Sequence, residues 1–221
     1  MVEWEGEALG RLRQGLYRFF ASSFLYPEES RLAILIETTR RLDQDYLARF
    51  AFHHSWMRLR GAMQEEAMVS GLGKQYIRLF SAGLGGAICP PYESFYLALP
   101  GQPASLFALQ LEREYAGLGL ALSPDYENLP DHVSAELEAM AFLCGKEAEA
   151  WSDRACERVV KVIEDERTFL QRHLERWFFA FAERVMEEAA GTIYGTIAEA
   201  ADAFIRHDLE LSNLLLREVS V

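Results

Sequence analysis

The side chains best suited to chemistry sit in two short stretches, Pro90-Pro91-Tyr92-Glu93-Ser94-Phe95-Tyr96 and Pro130-Asp131-His132-Val133-Ser134-Ala135-Glu136-Leu137. In the second, His132 and Glu136 are one helical turn apart, where an imidazole and a carboxylate can hydrogen-bond or share a metal. One such pair supplies two ligands, and no ExxH motif elsewhere completes a di-metal site, so no metal is assigned. There is no GxSxG turn and no catalytic Cys–His signature, so no catalytic residue is assigned either. Gly83-Leu84-Gly85-Gly86 follows a helical pattern, not a strand, and lacks the Gly-Lys-Ser/Thr of a phosphate loop. What remains is aromatic, carboxylate and imidazole groups set beside prolines at the edges of helices, the chemistry of a surface that holds a peptide. A plainer reading stays open for both stretches. Two prolines make a rigid turn whose aromatics plug a core edge, which accounts for Phe95 or Tyr96 but only poorly for Glu93 and Ser94, since a buried carboxylate needs a partner. Asp131 after Pro130 reads as a helix N-cap, its charge favoured by the helix dipole.

The elements that position these groups are helical. Leu9, Leu12, Leu16, Phe19, Phe20 and Phe24 recur at three- and four-residue steps, predicting an amphipathic helix stopped at Pro27. A short helix is expected from a Ser30 cap to Leu42, and then one helix or two from Asp43 through Tyr46, Phe50 and Trp56, with Gly61, Gly71 and Gly73 blurring the far end. Lys74–Ser81 closes that region. From Ala82 to Ala104 three glycines and four prolines interrupt the pattern, along with Gly101, and we read an ordered loop laid on the helices, held by Tyr92, Phe95 and Tyr96. Helices are then expected over Ser105–Gly117, from Asp131, after a Ser152-Asp153 cap, from about His173 to Gly191, and over Ile193–Leu216. Trp177-Phe178-Phe179 and Phe181 read as bundle core. No alternating β-branched run suggests a sheet. The fold class is all-α: a single bundle of about eight to ten helices over residues 1–221, with one long Pro/Gly-rich loop and a candidate hinge at 82–104.

With half its residues apolar, the chain of 221 residues can bury about 70% of its unfolded surface. Its 22 basic and 34 acidic residues leave a net charge of −12, which disfavours nucleic acid and anionic membranes and favours basic segments. Cys89, Cys144 and Cys156 have no CxxC spacing and read as buried free thiols of a reducing compartment. The acidic start, Met1-Val2-Glu3-Trp4-Glu5, lacks the order of a signal peptide, and the uncharged run Ser94–Leu111 is broken by Pro100, Gly101 and Pro103. A cytoplasmic location is expected.

Four motifs in order resemble one family. They are Tyr76-Ile77-Arg78-Leu79-Phe80, the Pro90–Tyr96 loop, Pro130-Asp131-His132 with Glu136-Leu137, and Phe169-Leu170-Gln171-Arg172-His173-Leu174-Glu175-Arg176-Trp177. Together they are similar to the TorD/DmsD family of molybdoenzyme assembly chaperones, over about Leu9–Leu216, and the Pro-Pro-Tyr-Glu-Ser loop sets the chain apart from the NarJ branch. The resemblance implies a cytoplasmic, all-helical chaperone without a cofactor. Its partner would be the apo catalytic subunit of a DMSO-reductase-type molybdenum enzyme, bound by an N-terminal, commonly twin-arginine, leader until the cofactor is inserted. On this reading Tyr92, Phe95 and Tyr96 shape an apolar wall, Ser94 lies beside them, Glu93, Asp131 and Glu136 meet the basic end, and His132 hydrogen-bonds within the groove. Monomer and domain-swapped homodimer are both open. The rival is a helical metal- or nucleotide-binding protein using the His132/Glu136 region.

Overall fold

A computed structural model describes residues 3–81, 86–99 and 103–219. The glycines Gly83 and Gly85, with Leu84, and the Pro100-Gly101-Gln102 break lie outside the described residues. The helices are α1 (Glu3–Ser23), α2 (Glu29–Arg41), α3 (Gln44–Leu47), α4 (His53–Ala62), α5 (Glu66–Val69), α6 (Leu72–Phe80), α7 (Glu93–Leu97), α8 (Ala104–Leu118), α9 (Val133–Ser152), α10 (Cys156–Arg172), α11 (Leu174–Glu188) and α12 (Ile193–Val219). The all-α class stands. Nine of these helices run eight residues or longer among the described residues, and α3, α5 and α7 are single turns that periodicity cannot register.

Local chemistry explains where several boundaries moved. Ser30 is not a cap: α2 starts one residue earlier, after an extended Glu28 that makes no side-chain capping bond. Asp43 is a cap, accepting from the backbone of Asp45 and Tyr46, but the helix it starts lasts one turn, and the chain re-enters a helix at His53. Ser152-Asp153 does not start α10. Ser152 ends α9, and the chain reverses through Arg154, a non-glycine residue at φ 56°, before α10 begins at Cys156. The expected loop at 82–104 contains α7, and its Tyr92 forms an isolated antiparallel bridge with His132. Of the cysteines, Cys89 and Cys144 are buried, but Cys156 is exposed at the start of α10.

The helices sort into two compact units. One comprises Met1–Ala21, Tyr92–Trp177 and Leu209–Val221, and the other Ser22–Pro91 and Phe178–Asp208. In the first, α1 lies so close to α9 that a Cβ on Gly10 would stand 3.1 Å from both the Ala148 side chain and the Cys144 carbonyl, and one on Gly6 would enter the Trp151 ring at 2.5 Å. The same approach buries Arg13, whose guanidinium reaches Glu147 and Glu166 at 2.6 Å each. All three are at most 2% exposed, and Trp151 Nε1 also donates to Glu147 at 3.1 Å. A charge can be held in such a place only if it is paired. The second unit is built on aromatic rings. Phe24 meets Phe80, Phe178 and Phe181 edge-on, and Phe80 meets Tyr194 in the same way. Tyr76 and Phe80 of the Tyr76–Phe80 motif are therefore core residues of this unit, while Arg78 donates to the Glu188 carbonyl at 2.7 Å.

Candidate functional site

From Tyr92 on, the first of the two stretches meets the second within the first unit, and backbone atoms join them. The Glu93 N–H donates to the Asp131 carbonyl at 2.9 Å, beside the Tyr92–His132 bridge. The Asp131 carboxylate then accepts the Ser94 N–H at 3.0 Å. Helix α7 has no capping side chain of its own, so Asp131 caps it from another part of the chain. This revises the expectation that Asp131 caps the helix following it. That cap is His132, whose Nδ1 accepts the Ser134 N–H at 3.1 Å.

The His132 cap defines its own protonation. A backbone N–H can only donate, so Nδ1 is the acceptor and the ring proton is on Nε2. The Ser134 hydroxyl donates to the same nitrogen at 2.7 Å and accepts from Tyr126 at 2.8 Å. Burial lowers the His132 pKa from 6.5 to about 3. A depressed histidine stabilises the fold above the unfolded value and loses that contribution as pH falls through the folded one. Between pH 6.5 and about 3, thermal unfolding of the wild type should therefore show an acid-side decline that His132→Asn, a non-titrating cap, flattens.

Behind this pairing lies a buried polar chain. Glu136 accepts the Trp177 Nε1 proton at 2.9 Å. Its own carboxyl is driven well above the ordinary range, first by burial and then by the charge of Glu93, against the weaker pull of the Trp177 bond. Burial and the neighbouring charge thus both favour the protonated form of the Glu136 carboxyl. Glu93 in turn receives His173 Nδ1 at 3.0 Å, and His173 Nε2 reaches Glu114 at 2.8 Å. Burial alone would lower the His173 pKa, but the hydrogen bonds and charges of Glu93 and Glu114 together outweigh it and raise it. The charged imidazolium form of His173 is therefore favoured by its place between Glu93 and Glu114. Sequence reasoning quoted His173 and Trp177 in a motif without placing them here. The signal was their own spacing: one helical turn apart at the α10–α11 junction, they turn toward Glu93 and Glu136 together.

Of the eight residues expected to line a groove, the structure brings all to one place but exposes few. Glu93, Asp131, His132 and Glu136 are at most 1% exposed and are bonded within the fold. Ser94 is buried, Tyr92 and Tyr96 are half-buried, and Phe95 is 55% exposed. Tyr96 leans on the Trp177 ring at 5.4 Å. Among the described residues, no group of three His, Cys, Asp or Glu side chains is arranged to hold a metal, and no helix is long and apolar enough to cross a membrane.

Residues 39–183 match the family model of the nitrate reductase delta subunit. The chain belongs to that family. This delta-subunit family member is 32% identical over 174 residues to the selenate reductase assembly chaperone protein of Thauera selenatis, covering 75% of this chain and 86% of that one. It is 31% identical over 168 residues to the chlorate reductase assembly chaperone protein of Ideonella dechloratans, covering 72% and 83%. The chaperone protein TorD of Shewanella loihica is 27% identical over 151 residues, covering 66% and 64%. The TorD resemblance is thereby met, although the matching model carries the name of the nitrate reductase branch from which the loop had been set apart. A crystal structure of a candidate redox enzyme maturation protein from Archaeoglobus fulgidus superposes with a TM-score of 0.58 at 24% identity, over 88% of this chain and 93% of that one, which shows the shared fold. In kind, this family member is an assembly chaperone and not a catalyst.

Proposed function

We propose that this protein is a system-specific chaperone for the apo catalytic subunit of a DMSO-reductase-type molybdenum oxidoreductase. In this role it binds the subunit's N-terminal, twin-arginine segment in the cytoplasm, aids cofactor insertion and delays export. The observation that carries the reading is the build of α7. A five-residue helix is capped by Asp131 and backed by the Glu93–His173 and Glu136–Trp177 contacts, so that its outer side holds Phe95 and, just beyond it, Leu99 in the open. Helix α8 packs on α7 and exposes Leu106 and Leu109. Apolar side chains held out by a buried scaffold, on a chain of net charge −12, suit a segment that is basic at one end and apolar at the other. The buried carboxylates position this surface and set its field. They do not touch the peptide. The named clients of the relatives, selenate and chlorate reductases, support a reductase subunit as the partner.

The test is purification of the tagged protein from its host, with the captured partner identified by mass spectrometry. The expected partner is a cofactor-free reductase catalytic subunit that is lost when its N-terminus is trimmed. Phe95→Asp should weaken that capture by about thirtyfold, the loss of a ~2 kcal/mol aromatic anchor. A catalytic subunit retained equally well without its N-terminus would overturn the leader-binding part of this reading.

A further inference from the structure

A second feature of the same unit lies outside the α7 surface. Arg18 of α1, Tyr115 of α8, Leu122 and Tyr126 of the following loop, and Glu138 and Phe142 of α9 enclose a half-open cavity of about 310 Å³. That is the lower end of the range for ligand pockets. Ala135 and Ala139, both buried, also line it, and their short side chains do little to fill the space. The apolar walls are flanked at the mouth by one cation and one carboxyl group. Arg18 has no hydrogen-bond partner among the described residues, so its donors are available. Glu138 faces it closely enough for the guanidinium to pull the carboxyl pKa down, against the larger upward push of burial.

The cavity is also tied to the paired stretches. The Tyr115 hydroxyl donates to the Pro130 carbonyl at 3.0 Å, and Tyr126 reaches the His132 cap through Ser134. Two of its aromatic walls thus rest on the segment that caps α7.

We infer that this cavity receives a large apolar side chain of the bound client peptide, with Arg18 donating to a peptide carbonyl beside that side chain and Glu138 accepting a peptide N–H or a basic group. The inference rests on the peptide-binding reading above. A peptide unit presents an acceptor and a donor on either side of each side chain, and the mouth of the cavity offers the matching donor and acceptor around a space for one large residue. A small anion would meet Glu138, and a small cation would meet Arg18. A neutral backbone carrying an apolar group meets neither penalty.

The probe is a fluorescein-labelled synthetic peptide, two adjacent arginines followed by alternating leucine and alanine, read by fluorescence anisotropy beside a companion with serine for leucine. Ala121 and Arg18 are exposed at the cavity mouth, so Ala121→Trp and Arg18→Ala are compatible with folding, checked by circular dichroism. Each should weaken binding of the leucine peptide by about tenfold, ~1.4 kcal/mol. The serine peptide should bind weakly to every form. If Phe95→Asp abolishes binding while Ala121→Trp and Arg18→Ala leave it intact, the cavity is not a subsite, yet the chaperone reading survives. Equal binding of both peptides also overturns the cavity assignment. Failure of the wild type to bind the leucine peptide overturns it too, and if a client subunit is nonetheless captured through its N-terminus, the chaperone reading again survives.

Discussion

Arg13→Met is expected to destabilise the protein by about 3–5 kcal/mol, the cost of leaving a buried charge without its partner. Urea unfolding followed by circular dichroism would measure it, as a lowered midpoint at unchanged slope. The size follows from geometry. Arg13 lies between Glu147 and Glu166 at 2.6 Å from each, and both carboxylates are fully buried. Removing the guanidinium leaves two like charges facing each other without water. The triad as a whole need not be stabilising, because the desolvation of its members offsets most of their attraction. The companion variant is therefore informative: Arg13→Met combined with Glu147→Leu and Glu166→Met should recover most of the loss. A single variant within about 1 kcal/mol of wild type would show that the carboxylates take up protons instead.

The second large effect is at His173. Replacing it with glutamine leaves Glu93 buried beside a neutral amide, again a loss of about 3–5 kcal/mol at neutral pH. The pH dependence identifies the cause. His173 has a folded pKa raised above 6.5, so its contribution is complete below that value and is lost as pH rises through the folded pKa. Glu136 acts with the same sign from a lower start: its raised folded pKa means a contribution complete below 4.5 and lost as pH rises through the folded value. His132 has the opposite sign and weakens the fold on the acid side. Wild-type stability should therefore decline on both flanks. His173→Gln should remove the part of the alkaline decline above pH 6.5 and leave the acid flank alone. An alkaline flank unchanged in the variant would show that the imidazolium is not what Glu93 requires.

Long periodic segments were legible in the sequence, and short or exceptional ones were not. The α1 stripe from Leu9 to Phe24 gave its helix directly, because every apolar position faces the core. Within it, residue type alone does not mark Arg13. Its register held the signal, since it falls four residues after Leu9 and three before Leu16, on the buried stripe itself. Glu166 repeats the pattern three residues after Ile163. The site was half legible. Residue types marked both stretches, and the family resemblance marked the third, but spacing along a chain cannot say that a cap serves a helix other than its own. Asp131 and His132 are adjacent and both able to cap, so the roles were assigned one residue out of place. Burial was misjudged for a related reason: carboxylates beside prolines look exposed until their partners are known, and Glu93 and Glu136 have theirs at His173 and Trp177.

The Asp131 cap on α7 also has a consequence in time. A five-residue helix has no stability of its own. As the chain leaves the ribosome, residues 93–97 emerge well before Asp131, and before the His173 and Trp177 that close the polar chain behind them. The Phe95 surface is consequently among the last parts of this unit to take shape. An incomplete copy of the chaperone, still attached to its own ribosome, offers no finished platform to a client.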